Sequence, residues 1–383
     1  MKSASINIQA EKKNPFTPNF GQVPLEIAGR NDVINSLEYA FSNAPGDPAL
    51  TSILVGARGN GKTALMSYIG KQMRTNGWIV VHTSCIPGML EDIYIQTIRE
   101  TKELLSTEKS YKVSATLKAS FAILSGEIRI QPESISNASN WRLRITEIIE
   151  ELNKLGIGLI ITIDELDPKL DEMTTFASVY QMLIREERKV ALIMAGLPNK
   201  VSGFLNNEKI TFMRRATKFT LTAIPKYDVR NAFKATVERG EKTIAEEALD
   251  IAVDAINGFP FMLQLVGYRS FIAAGTRKRI TKEDVRAGIA LAKNDLKDRV
   301  LKSTLDEISD TGIVFLQAMA NDTEPSTISS VAKAMNQTES YVRTYHNRLL
   351  ERGVIMDTSV VRGNKKFVFA LPYMKEYLEE YER

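Results

Sequence analysis

Gly56-Ala57-Arg58-Gly59-Asn60-Gly61-Lys62-Thr63 stands directly after the apolar run Ile53-Leu54-Val55 and before Ala64-Leu65-Met66-Ser67-Tyr68-Ile69. The order is strand, glycine-rich loop, helix, and the octet satisfies G-x-x-x-x-G-K-[ST] at every fixed position. Glycine is needed there because the backbone must curl closely around a triphosphate and aim its N–H groups inward. The N-terminus of the following helix adds partial positive charge. Gly56, Ala57, Arg58, Gly59, Asn60, Gly61, Lys62, Thr63 and Ala64 are therefore the candidate ATP-binding set. Within it Lys62 reaches the β- and γ-phosphates as a point charge, and the Thr63 hydroxyl enters the Mg²⁺ shell. An ordinary glycine turn is the plainer reading, but the strand before and the helix after argue against it.

A second stretch supplies carboxylates. Gly158-Leu159-Ile160-Ile161-Thr162-Ile163 is almost wholly apolar and ends in Asp164-Glu165, as a parallel strand buried on both faces would deliver them at its ligand-binding edge. Asp164 would hold Mg²⁺ through water, while Glu165 would polarise the attacking water as general base. The competing reading is a solvated acidic turn, Asp164-Glu165-Leu166-Asp167, capping the next helix. The run from Lys189 to Ala195 repeats the buried pattern and ends at Gly196-Leu197-Pro198-Asn199, where Asn199 either senses the γ-phosphate or caps a helix. Beyond it come Arg214 and Arg215, of which Arg215 is the candidate arginine finger, in its own subunit or a neighbour; an ordinary surface arginine is the alternative.

Composition bounds the class. A chain of 383 residues, 44% hydrophobic and 25% charged, is that of a globular protein with about two to three domains. No run of 18 or more apolar residues occurs, and the first residues lack the apolar core of a secretory signal, so no membrane partner is expected and the reading is cytoplasmic. Cys85 has no second cysteine to pair with and is expected in the core; with only His82 and His346, a zinc site is not expected. Fifty basic residues against 46 acidic ones leave +4, so any case for nucleic acid rests on local distribution.

Taken in order, residues 1–22 hold Pro15 and Pro18 and read as an extended lead-in rather than a packed element. Ile27-Ala28-Gly29-Arg30 precedes an amphipathic helix, Val33 to Phe41, with Asn31 or Asp32 as N-cap. Ile27, Gly29 and Arg30 either wrap the adenine and ribose or merely lead into that helix. Trp78 to Thr83 reads as a strand, Met89 to Leu105 as a helix, 106–136 as an insertion, and Asn140 to Leu155 as a helix. From Pro225 the alternation stops and an all-helical lid follows: Tyr227 to Arg239, Ala245 to Ile256, Pro260 to Ala274 and Thr281 to Leu291. Pro260 suits a first helical position.

The tail has its own logic. Three helices (Ile308 to Ala320, Ser326 to Met335, Glu339 to Arg352) are followed by alternating runs at Val354-Ile355-Met356 and Lys366 to Ala370, which are expected to form a hairpin. That is the pattern of a winged helix-turn-helix. Its third helix is expected to expose Tyr341, Arg343, Thr344, Tyr345, His346, Asn347 and Arg348, with Lys365 in the wing turn, all able to contact phosphates or base edges of double-stranded DNA. A winged helix used only for packing is the alternative.

With phosphate loop, acidic strand end, lid and tail in this order, the chain resembles AAA+ ATPases of the branch that holds origin-recognition and replication-loading proteins and STAND-type switches. The fold implied is an α/β P-loop core with a parallel sheet (23–224) after an extension (1–22), a helical lid (225–302) and a winged helix (303–383). Gly56 to Thr63 matches the family's Walker A motif, Asp164-Glu165 its Walker B, and Ile27 to Arg30 its nucleotide-base motif. Gly258-Phe259-Pro260 is similar to the GxP element of STAND proteins, which adds Pro260 to the implied nucleotide contacts. It stands where origin-binding members carry a sensor arginine, and no clear polar sensor ends the Ala191 to Ala195 strand. Both departures imply a slow, nucleotide-controlled ATPase. Its expected partners are ATP or ADP, DNA, an unidentified protein and, depending on nucleotide, further copies of itself. A STAND-like switch whose winged helix packs and binds no DNA is the alternative, and a small-molecule kinase is weakly supported.

Overall fold

β-branched, apolar runs build the core of the sheet-bearing part of the chain. In the computed structural model, which describes residues 14–19, 22–106, 138–322, 325–358 and 366–381, Ile160, Ile161, Ile163, Leu192 and Ile193 are wholly shielded from solvent. Side chains buried on both faces are what a parallel sheet covered by helices requires. Contacts divide the chain into two units, Arg30–Thr222 with Leu350–Gly353, and the remainder.

The first unit contains α1 (Asn31–Ser42), β1 (Thr51–Val55), α2 (Lys62–Arg74), β2 (Trp78–Ser84), α3 (Met89–Ser106), α4 (Ala138–Lys154), β3 (Gly158–Asp164), α5 (Asp171–Arg185), β4 (Val190–Gly196), α6 (Pro198–Leu205) and β5 (Thr217–Thr220). The five strands run parallel in the order β2-β3-β4-β1-β5. Because the connection from β1 to β2 passes over β4 and β3, the carboxyl ends of β1 and β3 flank that of β4, with Val55 opposite Gly196 and Ser84 opposite Asp164. Trp141, Phe176 and Tyr180 pack in series beneath the sheet, ring centroids 6.0 Å apart at each step, and the Trp141 indole donates to the Leu90 carbonyl at 2.6 Å. Each such side chain contributes on the order of 2 kcal/mol by burial.

Two expectations need correction and one falls on residues that are not described. Helix α1 starts earlier than Val33, and its N-cap is Arg30 rather than Asn31 or Asp32. Asn31 is already helical, and the first turn closes through the backbone, Ile34 N–H to the Arg30 carbonyl at 3.0 Å, with no side-chain cap. The insertion expected at 106–136 lies outside the described residues except for Ser106. The lead-in does pack: Phe16 is buried against Phe233 at 5.2 Å, and its ring lies where a Cβ on Gly267 would have to be. Asn14 Nδ2 donates to the Tyr268 carbonyl and Thr17 N–H to Gln264 Oε1, so side-chain amides stand in for secondary structure.

The second unit continues with α7 (Lys226–Arg239), β6 (Thr243–Ile244), α8 (Glu246–Ile256), α9 (Pro260–Ala274), β7 (Arg279–Ile280) and α10 (Lys282–Leu296). The stretch is thus not all-helical: β6 and β7 pair in parallel, and the buried Lys242 ammonium donates to the carbonyls of Gly275 and Arg277, tying the intervening loop. Pro260 occupies the first turn of α9, as expected, after Gly258 at φ +72°. A π-helical turn, Lys297–Leu301, leads to α11 (Lys302–Asp306), α12 (Asp310–Ala320), β8 (Ser326–Thr327), α13 (Ile328–Met335), α14 (Glu339–Glu351, whose last residues fall in the first unit), β9 (Ile355–Asp357), β10 (Lys366–Phe369) and α15 (Met374–Glu379). The expected hairpin is present as β9–β10, and β8 joins it in an antiparallel sheet of order β8-β10-β9. Ser326-Thr327 was expected in the helix. It is a strand because the Thr327 side chain caps α13 in a reciprocal box with Ser330.

Candidate functional site

The loop after β1 turns through Gly59 at φ +77° and Gly61 at φ +81°, backbone conformations that side chains rarely adopt, before α2 starts at Lys62. Gly56 is needed for another reason: a Cβ there would stand 2.8 Å from the Leu221 carbonyl oxygen. Lys62 Nζ curls back to the carbonyls of Gly56 and Ala57, at 2.8 and 2.9 Å. Burial pushes its pKa down to about 8 against the opposing pull of Asp164 and Glu165, with Arg58 adding to the lowering. An anionic ligand beside that ammonium would favour its charged form and oppose the lowering by burial.

Across the sheet, the Thr63 hydroxyl donates to Asp164 Oδ2 at 2.5 Å, while Asp164 Oδ1 accepts the Glu165 N–H at 2.8 Å. Glu165 itself is exposed and sits at φ +55°, a left-handed conformation unusual for glutamate and of the kind that concentrates at functional sites. The strand end therefore turns sharply, so that Asp164 faces Thr63 while Glu165 leaves the sheet. Beside Thr63 and Asp164 opens a cavity of about 420 Å³ whose wall includes Ser67, His82, Ser84 and Asp92. No cluster of three or more His, Cys, Asp or Glu side chains able to hold a metal occurs among the described residues. One hydroxyl and one carboxylate instead fit Mg²⁺ in the way such ions are held beside phosphates, with few protein ligands and the rest from nucleotide and water. Thr63 and Asp164 would hold the ion, and the ion would supply charge neutralisation at the phosphate oxygens.

Other expected residues fall as follows. Asn199 lies second in α6, whose N-cap is Leu197, so the capping reading fails; its Nδ2 is shielded from solvent and has no hydrogen-bond partner among the described residues. Arg214 donates from Nε to the Leu205 carbonyl at 2.8 Å, and Arg215 is exposed at the end of a 3₁₀ helix, Glu208–Arg215. The Arg30 guanidinium is buried and donates to the Thr222 carbonyl at 2.6 Å. Ile27, Gly29 and Pro260 belong to the second unit.

On α14, Tyr341, Arg343, Thr344, Asn347 and Arg348 are exposed, as expected. Tyr341 and Tyr345 lie with ring centroids 5.1 Å apart, and the Arg348 guanidinium is 5.3 Å from the Tyr345 ring. His346 is a correction: it is buried, with Nε2 3.1 Å from Asp357 Oδ1 and its ring edge-on to Phe367 at 4.6 Å. At that position the helix faces the sheet, so the imidazole packs α14 onto β9 and β10. Lys365 lies outside the described residues.

Two features carried no sequence signal. Asn60 is buried and donates from Nδ2 to the Leu221 carbonyl at 2.8 Å. Cys85, buried as expected, accepts the Asp167 N–H at 3.2 Å, and burial pushes its thiol pKa up. Each depends on partners far along the chain.

Comparison with known proteins bears on the fold. Residues 298–378 match a family model described as "Domain of unknown function (DUF8462)". The chain matches no curated protein sequence. Among solved structures, it is similar to the Walker-type ATPase PABY2304 of Pyrococcus abyssi, with a TM-score of 0.65 and 16% identity over 92% of this chain and 96% of that one. The ORC2 protein of Aeropyrum pernix, solved as ADPNP–ADP complexes, gives 0.62 and 13% over 95% of each. Cdc6p of Pyrobaculum aerophilum gives 0.51 and 16% over 94% of this chain and 95% of that one. Identities this low speak for architecture alone, and the architecture is the α/β fold of the archaeal Cdc6/ORC-type AAA+ ATPases.

Proposed function

We propose that this protein is a slowly hydrolysing ATPase whose nucleotide state governs contact with double-stranded DNA, or recruitment of a protein partner, through its C-terminal winged helix. The observation that carries the reading is the convergence of Lys62, Thr63 and Asp164 at the carboxyl edge of a parallel sheet, behind a loop of left-handed glycines. Lys62 and the loop N–H groups bind the phosphates, Thr63 and Asp164 place the metal ion, and Glu165 takes the proton of the attacking water. Arg215 is the finger, acting in its own subunit or in a neighbour of a nucleotide-dependent oligomer. The extension, core, lid and winged helix divide at about 22, 224 and 302. Exposed Tyr341, Arg343, Thr344, Asn347 and Arg348, with Lys365, form the DNA face, the arginines setting affinity through phosphates. The fold likeness to Cdc6p and ORC2 favours this class of activity.

The test is calorimetric ATP binding with Mg²⁺, combined with duplex binding in ADP and in ATP. Absence of ATP binding overturns the whole reading, and duplex affinity identical in both nucleotides overturns the coupling. A STAND-like switch is the second reading, favoured by one observation: Tyr373 Oη donates to the Ala255 carbonyl in the last turn of α8, and Lys293 of α10 lies 4.2 Å from the Tyr373 ring, so the C-terminal segment is tied to the lid helices. A mass that changes with nucleotide, without any duplex binding, would select it.

A further inference from the structure

The Asn60 side chain ties the loop to a distant part of the first unit, and its partner is informative. Leu221 is held on both sides of its residue: its N–H donates to the Val55 carbonyl at 2.7 Å, and its own carbonyl accepts Asn60 Nδ2 at 2.8 Å. The next carbonyl, of Thr222, accepts the buried Arg30 guanidinium at 2.6 Å. Thr222 is the last residue of the first unit before the chain passes into the second, and Arg30 is the first residue after an earlier passage, between Gly29 and Arg30. Two of the chain's passages between units are therefore pinned to each other, and one of them is pinned to the apex of the phosphate loop.

We infer that Asn60 and Arg30 are positioning residues that transmit occupancy of the phosphate loop to the 221–222 segment at the end of the first unit; the inference rests on the ATP-binding reading above. The physical basis is local. Asn60 lies between Gly59 and Gly61, whose left-handed glycine conformations leave the loop free to adjust around phosphates. Ordering the loop around a ligand orders the Asn60 side chain, which strengthens its bond to Leu221, and that bond is sheltered from water competition. By linkage, a segment that nucleotide steadies must in turn steady nucleotide. Arg30 works from the other side, fixing the carbonyl one residue on, so that a shift at Leu221 is passed forward rather than absorbed.

Hydrogen exchange of the amides in 219–226 of the full chain tests this, with and without saturating adenylyl imidodiphosphate and Mg²⁺. Nucleotide should slow exchange there about tenfold in the wild type, the factor expected from one buried hydrogen bond. In Asn60→Ala and in Arg30→Met, at whatever nucleotide concentration saturates each, the slowing should shrink to within about twofold, and Arg30→Lys, which keeps a cationic donor, should recover part of it. A purely structural role would lower melting temperature or affinity but leave the slowing at saturation intact. Wild-type-like slowing in both variants, or complete loss of nucleotide binding by both, overturns the inference. Failure of the wild type to bind nucleotide at all overturns the ATP reading and this inference with it.

Discussion

The Thr63 hydroxyl and the Asp164 carboxylate, 101 positions apart in the chain, meet at 2.5 Å. The bond exists because β1 and β3 lie one strand apart in a parallel sheet, and both deliver their next residues to the same edge. These are the two groups that would hold Mg²⁺ beside a bound nucleotide, where the ion would supply charge neutralisation.

Lys62→Ala should weaken ATP binding about a hundredfold or more, since the loop loses its phosphate-directed ammonium while its glycines preserve the path. Calorimetry with Mg²⁺ measures this. Circular dichroism should stay unchanged, because among the described residues Lys62 Nζ bonds to carbonyls of the loop itself. Equal affinity in variant and wild type would show that the loop binds something else.

Glu165→Gln keeps the turn and removes the base, so hydrolysis should fall about 10²-fold while ATP still binds within a few-fold. Asp164→Asn should instead remove the Mg²⁺-dependent part of binding. Steady-state phosphate release and titrations with and without Mg²⁺ separate the two. Full turnover by Glu165→Gln would move the base elsewhere.

Replacing Arg343 and Arg348 together by alanine should reduce the slope of log affinity for duplex DNA against log salt by about 2, close to 0.9 per phosphate contact. Fluorescence anisotropy at several salt concentrations reads the slope. His346→Ala should act differently, lowering the stability of the C-terminal segment, because it removes a buried ring from between α14 and Phe367. An unchanged slope in the double variant rejects the DNA face.

Cys85 should be inert to thiol reagents in the native protein at pH 8. Its thiol pKa is raised by burial, so the thiolate is scarcer than in a free cysteine at that pH and increases only as pH rises beyond the ordinary range. The same sign makes its contribution to stability complete below the ordinary thiol pKa and lost as pH rises above it, where the unfolded chain ionises first. Reaction with Ellman's reagent should be at least about tenfold faster after denaturation. Rapid native reaction would mean that the segment Cys85 to Asp167 opens readily.

Much of the site was legible as sequence because its chemistry is local. Eight consecutive residues from Gly56 specify loop, charge and helix start, and the buried run ending at Asp164 specifies a strand with carboxylates at its carboxyl end. Proline's preference for a first helical position placed Pro260 at the first turn of α9, and alternation placed β9 and β10. What depended on a second, distant segment was not legible. His346 looked like one more polar residue on an exposed face, and only the packing of α14 against β10 turned it inward against Phe367. Phe16 sat in a proline-rich lead-in with no period, yet the missing side chain of Gly267, about 250 residues on, leaves room for its ring.

The sequence by itself determined the glycine-rich loop between strand and helix, the two carboxylates at a strand end, the strands with β-branched runs and the helices with apolar stripes, since each follows from side-chain type and short-range spacing. Only the tertiary structure decided which loop carbonyls Lys62 would meet, that Asn60 would reach Leu221 and Arg30 would reach Thr222, and that Glu165 would turn left-handed out of the sheet. The Asn60 and Arg30 contacts rest on strand order and on hydrogen bonds between segments more than a hundred residues apart, and loop closure over such distances is governed by the packed core rather than by neighbouring residues.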